Sequence, residues 1–525
     1  MTQILRSWGR LTIVDLLRDS ARDIPNTVFM RFGQQSFSYK EAEEASREFS
    51  ESLFASGVQP GSFVAIAIGN KPSFIVAFLG ILRSACTAVP LNTSYKADEY
   101  LYALEHSSCT AIVIDRDFAP IVEDARKHTR SFIQLIVADD DDPLRFHHSF
   151  ANADAACYQK CSTRISSEDL AGIFYTSGTT ARPKGVMITH GNLMYSAEVT
   201  IRCLGLSDQD VPALAFPLFH VNSLFYGVIT SLVLGGTIGL LPGFSISRYW
   251  SQISEVGATW TPGITGPLMR LLLRQDKSAA DRQHQLRFAV GGSFLSLEEV
   301  EAFYERFGVA LQPGWSMTET VSLGTLHPRL RNSPVPSTSA IGFPTLGQEI
   351  RLVRNDGSDV EPGEPGEILY RSPSVFAGYL NDQEATRNAF TPDGWLRTGD
   401  LGRMDEFGYL SFVDRKKDMI KTRGENVAAA EVERVLNEHR GVIESAVIGV
   451  RSEDGLVGEV VEAYVVKSKD VPVDAEDLQR WTATKLADFK VPHAIHFVDA
   501  LPKTPLGKIQ RQQLRANRVA SVSSD

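Results

Sequence analysis

Cysteine is scarce in this 525-residue chain. Cys86, Cys109, Cys157, Cys161 and Cys203 are odd in number and confined to the first half, which speaks against a disulfide framework. Cys157 and Cys161 alone make no zinc site. Positive charge is also in deficit, with 53 basic against 63 acidic side chains and a net charge of -10. A surface built to hold a phosphate backbone is therefore not expected, and no nucleic acid is expected as a partner. The N-terminus meets charged residues early and lacks an apolar core followed by small cleavage residues, so the expectation is a cytoplasmic protein. The longest uncharged run, LFYGVITSLVLGGTIGLL over residues 224–241, is broken by Gly235-Gly236. It reads as a buried helix ending at the glycine pair and then a core strand, with no membrane span. The common phosphate-loop pattern GxxxxGK[ST] is missing, and no internal repeat is visible.

The length exceeds what one compact core holds, and a hydrophobic content of 43% is that of a globular protein. From about residue 60, β-branched runs alternate with amphipathic stretches (SFVAIAIGN, PSFIVAFLGILRSA, CTAVPL, ADEYLYALEHS, TAIVID), and the rhythm restarts after residue 170. Strand then helix at this spacing predicts parallel sheets, hence an α/β fold with two doubly wound subdomains. Over 350–413 the texture changes to EIRLV, EILYRSP and GYLSFVD between Gly, Pro, Asp and Asn, which predicts a β-rich subdomain of hairpins. After the charged stretch RKKDMIKTRGEN comes a smaller α+β pattern. The expected division is a large domain over 1–414 and a small mobile domain over 415–525, with RVASVSSD as an unstructured tail.

The strongest chemical signal is TSGTTARPKGV at 176–186, between the apolar strand AGIFY and the helical NLMYSAEV. Hydroxyls, a glycine and a lysine after a strand supply what a triphosphate needs: donors, close backbone approach and a cation. A polar loop capping a helix is the plainer alternative.

That segment, with GWSMTET, GWLRTGDLG, DRKKDMIKTRGENV and PKTPLGKIQR in the same order, resembles the acyl- and aryl-CoA ligases of the adenylate-forming superfamily over nearly the whole chain. The resemblance implies ATP or an acyl-AMP, Mg²⁺ and coenzyme A as ligands and a small carboxylic acid as substrate. By resemblance Thr176, Ser177, Gly178, Thr179, Thr180 and Lys184 hold the β- and γ-phosphates, and Glu319 sits on Mg²⁺ with Thr318 beside it. A hard cation bridging phosphates favours oxygen ligands. Trp315 matches the aromatic that packs on adenine, Gly291 and Gly292 the backbone lining the nucleotide, and Asp400 the acid on both ribose hydroxyls, with Arg415 reaching the same sugar. Lys508 matches the lysine brought to the α-phosphate during adenylation, where an ammonium offsets developing charge. Lys417 falls at the hinge about which the small domain swings, and Gly424 in the segment that meets the pantetheine arm.

His220 in FPLFH matches the histidine bordering the acyl site; relatives that take α-amino acids have an aspartate there. Ser316 stands where acetate-selective relatives have a tryptophan, so the acid is expected to exceed two carbons. Small Gly263, Thr265 and Gly266 suggest a roomy apolar pocket. Three positions depart from the family pattern: Ala181 and Ser316 replace glycines, and Ala429 replaces a proline. An alanine forced into a left-handed conformation costs roughly 1 kcal/mol. Ala181 therefore opens a reading in which only thioester formation survives, on adenylate supplied by another adenylating enzyme. Loading of a carrier protein and a non-catalytic adenylate-binding scaffold are the remaining alternatives.

Overall fold

The computed structural model describes residues 12–130, 133–148, 164–176, 183–291, 295–328, 339–422, 425–451, 459–468, 471–503 and 509–522. At its centre is an eight-stranded mixed sheet. Its parallel core runs Leu170–Thr176, Thr87–Pro90, Phe63–Ala67, Ala111–Ile114 and Gln134–Ala138. These strands are apolar on both faces because helices cover both, as parallel sheets require. Pro72–Arg83, one of those helices, is buried over all but its last residue. Lys184–Thr189 pairs antiparallel with Leu170–Thr176, and the two-residue strand Gly378–Tyr379 closes that edge.

Leu170–Thr176 thus completes the first sheet instead of opening the second. The second group is assembled from Ala213–Leu214, Ile238–Leu240 and Val28–Phe32, with Gln35–Ser38 on the edge. A parallel set of Trp260–Ile264, Phe288–Gly291 and Ala310–Gln312 joins it through a single bridge from Pro212 to Trp260. The long apolar run of 224–241 resolves into a π-helical segment Asn222–Ile229, the α-helix Thr230–Leu234 and the strand Ile238–Leu240. Gly235, at φ +70°, makes the left-handed stop between helix and strand. Among the described residues no helix is long and apolar enough to cross a membrane.

The expected hairpins form a seven-stranded antiparallel sheet, in which Leu396–Met404 lies between Pro365–Arg371 and Leu410–Arg415. Beyond it, two apolar clusters draw only on residues from 420 onward. Along the strand Val442–Arg451, Val447 enters one cluster while Ala446 and Ile448 enter the other, so the strand is buried on both faces. The final helix, Arg511–Val522, runs into the segment expected to be an unstructured tail. The helix Ala429–Asn437 begins at Ala429, the position where the family pattern has proline. Proline is favoured at a first helical position because its missing N–H would be unpaired there anyway, so alanine costs little. This helix has no cap from its own Ala428; Asp414 Oδ2 instead accepts from Ala430 N at 3.3 Å.

His190, buried at the head of the helix His190–Leu204, accepts from the Ile13 amide through Nδ1 at 3.4 Å. Desolvation holds the ring down to about 4 from the ordinary 6.5, against smaller upward pulls from Asp169 and Asp15. A folded value below the unfolded one means full stability above about pH 6.5, lost as pH falls through about 4. The loss approaches about 3 kcal/mol on the per-unit conversion. His190→Gln should lose visibly less stability between those two pH values in chemical denaturation. Equal losses in both proteins would remove His190 as the cause.

Candidate active site

Five of the residues singled out in the sequence meet at a cleft of about 1040 Å³ between the large body and the chain from Ala430 onward. Gly291, Trp315, Asp400, Arg415 and Lys417 all line it. Asp400 and Arg415, fifteen positions apart in sequence, are direct cross-strand partners. Arg415 Nε lies 3.3 Å from Asp400 Oδ1, and Trp315 Nε1 donates to Asp400 Oδ2 at 2.7 Å. Both carboxylate oxygens are therefore aimed by fixed donors, and the acid is only 5% exposed. Gly291 has φ +133°, and a β-carbon there would stand 2.1 Å from the Ile264 carbonyl oxygen. Glycine is needed for the backbone to turn into the cleft at this point.

Glu319 sits on the 3-10 turn Thr318–Thr320, four residues after Trp315. The next residue, Val321, has φ +58°, a conformation that a β-branched residue adopts only when its surroundings enforce it. Ser196 Oγ anchors its carbonyl at 3.1 Å. Tyr379 Oη donates to Glu319 Oε1 at 2.9 Å, and Lys184 Nζ lies 4.7 Å from the centre of the Tyr379 ring. Burial pushes the Glu319 carboxyl up; the Tyr379 hydrogen bond and the Arg415 charge act downward, and Asp400 adds to the rise. Thr176 pairs with Lys184 at the mouth of the hairpin. Thr176 and Lys184 thus lie on the two strands next to the edge strand that carries Tyr379, and Glu319 is tied to them through the hydroxyl of Tyr379, a residue the sequence reading passed over. Its signal is faint, since a two-residue edge strand carries no periodicity.

Lys417 is held below the ordinary lysine value by desolvation, then by the Arg415 charge, with Asp418 and Asp400 pulling the other way. His220 is not among the residues lining the cleft; its ring lies 4.4 Å from that of Phe219 at the head of the helical segment that follows. Asn222 and Tyr226 of that segment line the cleft instead, with Gly263, Thr265, Gly266 and Ser316. Ser177, Gly178, Thr179, Thr180, Ala181, Gly292, Gly424 and Lys508 lie outside the described residues. Lys503 and Ile509, which flank the segment containing Lys508, bridge to each other and both line the cleft.

The family model for the AMP-binding enzyme matches residues 17–380, and that for the AMP-binding enzyme C-terminal domain matches 431–508. The chain belongs to the AMP-binding enzyme family. It is an acid–thiol ligase of the AMP-forming kind, in the adenylate-forming superfamily that includes the acyl- and aryl-CoA ligases. Crotonobetaine/carnitine–CoA ligase of Salmonella paratyphi B is 32% identical over 493 residues, covering 92% of this chain and 93% of the relative. Among solved structures, ATP-bound MatB from Rhodopseudomonas palustris matches with a TM-score of 0.84 at 28% identity, covering 97% of this enzyme and 99% of that chain. A benzoate CoA ligase from Burkholderia xenovorans LB400 matches with a TM-score of 0.84 at 29% identity, covering 96% and 100%.

Proposed function

We propose that this enzyme converts a carboxylic acid larger than acetate into its coenzyme A thioester through an acyl-adenylate. The observation that carries the proposal is the Asp400 carboxylate, aimed by Trp315 and Arg415 at the wall of the cleft. One carboxylate in that position accepts both hydroxyls of a ribose. The same ribose belongs to ATP and to the acyl-adenylate, so a single group serves both half-reactions.

In the first step a carboxylate oxygen of the acid attacks the α-phosphorus of ATP and pyrophosphate leaves. Lys184 and the hydroxyls from Thr176 to Thr180 hold the β- and γ-phosphates, and Lys508 offsets charge at the α-phosphate. In the second step the thiolate of coenzyme A attacks the acyl carbon and AMP leaves. The chain from about Asp414 to Lys417 acts as the hinge that exchanges Lys508 for the segment containing Gly424. By resemblance His220 belongs to the acyl side, where the helical segment it leads into supplies Asn222 and Tyr226 to the cleft.

Glu319 fits a divalent cation. It is a buried carboxylate whose charge is disfavoured by desolvation, and Tyr379 engages its Oε1. Among the described residues no group of three or more His, Cys, Asp or Glu side chains is placed to hold a metal, so a Mg²⁺ at Glu319 would complete its shell with phosphate and water oxygens. When bound, that ion would neutralise charge on the triphosphate.

Exchange of labelled pyrophosphate into ATP tests the first step. The reading requires exchange that depends on an added acid and needs no coenzyme A. Exchange without acid dependence, or none with any of a broad panel of acids, would sink it. Thioester formation from a synthetic adenylate alone would favour the route that Ala181 opened.

A further inference from the structure

The sequence reading expects an apolar pocket for the acid. One wall of the cleft is polar instead. Asn222 and Tyr226, both lining it, are carried by the π-helical segment Asn222–Ile229. Residues four apart lie on one face of a helical segment, so Asn222 and Tyr226 are presented to the cleft from the same side. Thr230 Oγ1 accommodates this winding by donating to the Phe225 carbonyl five residues back, at 3.2 Å. Gly263 clears the way for the amide, because a β-carbon there would stand 2.2 Å from Asn222 Nδ2.

Tyr226 is 1% exposed, yet its hydroxyl has no hydrogen-bond partner among the described residues. Ser316 acts on that phenol, opposing the rise that burial causes. Thr265 Oγ1 on the same wall is likewise buried and unpartnered. A buried hydroxyl left unpaired is destabilising. Phenylalanine and valine would fill the same space without that cost. Two such hydroxyls on residues that line the cleft, with Ser316 also in the lining where the family pattern has glycine, make sense when something bound there pairs with them.

The groups that would meet the missing partner are themselves uncharged: two hydroxyls and an amide. The nearest cation on the helix following Thr265 is Arg270, and Glu299 already holds its guanidinium at 2.6 and 3.1 Å. Arg274 donates to the Val442 carbonyl at 3.1 Å.

We infer that the acid activated by this enzyme carries a neutral hydrogen-bonding group, such as a hydroxyl, carbonyl or amide, on its acyl part, held by Tyr226, Thr265 and Asn222. The inference rests on the ligase reading above and narrows its substrate class.

The test compares pairs of acids matched in size, one with a hydroxyl or amide and the other with a methyl in its place, by kcat/KM for acid-dependent pyrophosphate release. Members carrying a second carboxylate are included. The polar neutral members should be preferred by about 10- to 100-fold, the scale set by leaving a buried hydroxyl unpaired. Tyr226→Phe should reduce the preference to a few-fold while leaving Tm unchanged or raised, because the hydroxyl it removes is unpaired. Thr265→Val should reduce it independently. A wild-type enzyme that treats the methyl acids as well as the polar ones, or prefers the diacids, overturns the inference while leaving the ligase reading intact. Absence of pyrophosphate release with every acid overturns both.

Discussion

Asp400→Ala is expected to lower kcat/KM by about 10² to 10⁴ in both half-reactions. Two hydrogen bonds to a charged acceptor are lost, each worth about 1.5–3 kcal/mol. The loss should be the same size whether the assay starts from ATP and acid or from a synthetic acyl-adenylate and coenzyme A, because both substrates carry the ribose. Asp400→Asn keeps an acceptor for Trp315 Nε1, which lies 2.7 Å from Oδ2, but removes the charge that faces Arg415. It should fall between wild type and alanine. A variant with normal thioester formation from supplied adenylate and no ATP-dependent step would show that Asp400 serves the triphosphate and not the sugar. Circular dichroism and Tm accompany both variants, since Asp400 is a buried partner of two side chains.

Glu319→Gln should lower acid-dependent pyrophosphate release by about 10² to 10³, the scale seen when one preorganised electrostatic group is removed from a transition state. Thioester formation from supplied adenylate should be spared, because pyrophosphate and its cation have already gone. Tyr379→Phe removes the hydroxyl 2.9 Å from Glu319 Oε1 and leaves the carboxylate in place. Its effect should be about 10-fold and should appear as a raised requirement for Mg²⁺, as for other residues that orient a metal ligand. Raising Mg²⁺ should restore Tyr379→Phe and not Glu319→Gln. Equal damage to both half-reactions in Glu319→Gln would place the residue with the sugar or in the scaffold instead of with the phosphates.

Much of this site is legible in the sequence, and its illegible parts have physical reasons. Asp400 and Arg415 could be named because each lies in a contiguous motif on its own strand, and the strands form one local hairpin. The strand Leu170–Thr176 was legible as an apolar run ending in hydroxyls, but its sheet was not, since a run buried on both faces carries no sign of which neighbour it joins. Val28–Phe32, ahead of the regular alternation, inserts beside Ile238–Leu240 through a pairing that no local pattern encodes. Tyr379 reaches Glu319 only because Gly378–Tyr379 adds to the edge of Lys184–Thr189. The π winding of Asn222–Ile229 was hidden as well: a segment apolar on nearly every side reads as buried helix whatever its hydrogen-bond period. Asn222 and Tyr226 stand four apart in an apolar segment, and nothing local in the sequence says that their side faces the cleft.

The most direct test of the central claim follows one atom. An accepted acid, labelled with heavy oxygen in its carboxylate, is turned over with ATP and coenzyme A, and the AMP is weighed by mass spectrometry. If the carboxylate attacks the α-phosphorus and the thiolate then expels AMP, each AMP carries one heavy oxygen, formed in equal amount to the thioester. Unlabelled AMP, or label in phosphate with ADP as the product, would contradict an acyl-adenylate and with it the roles given to Asp400, Glu319 and Lys508.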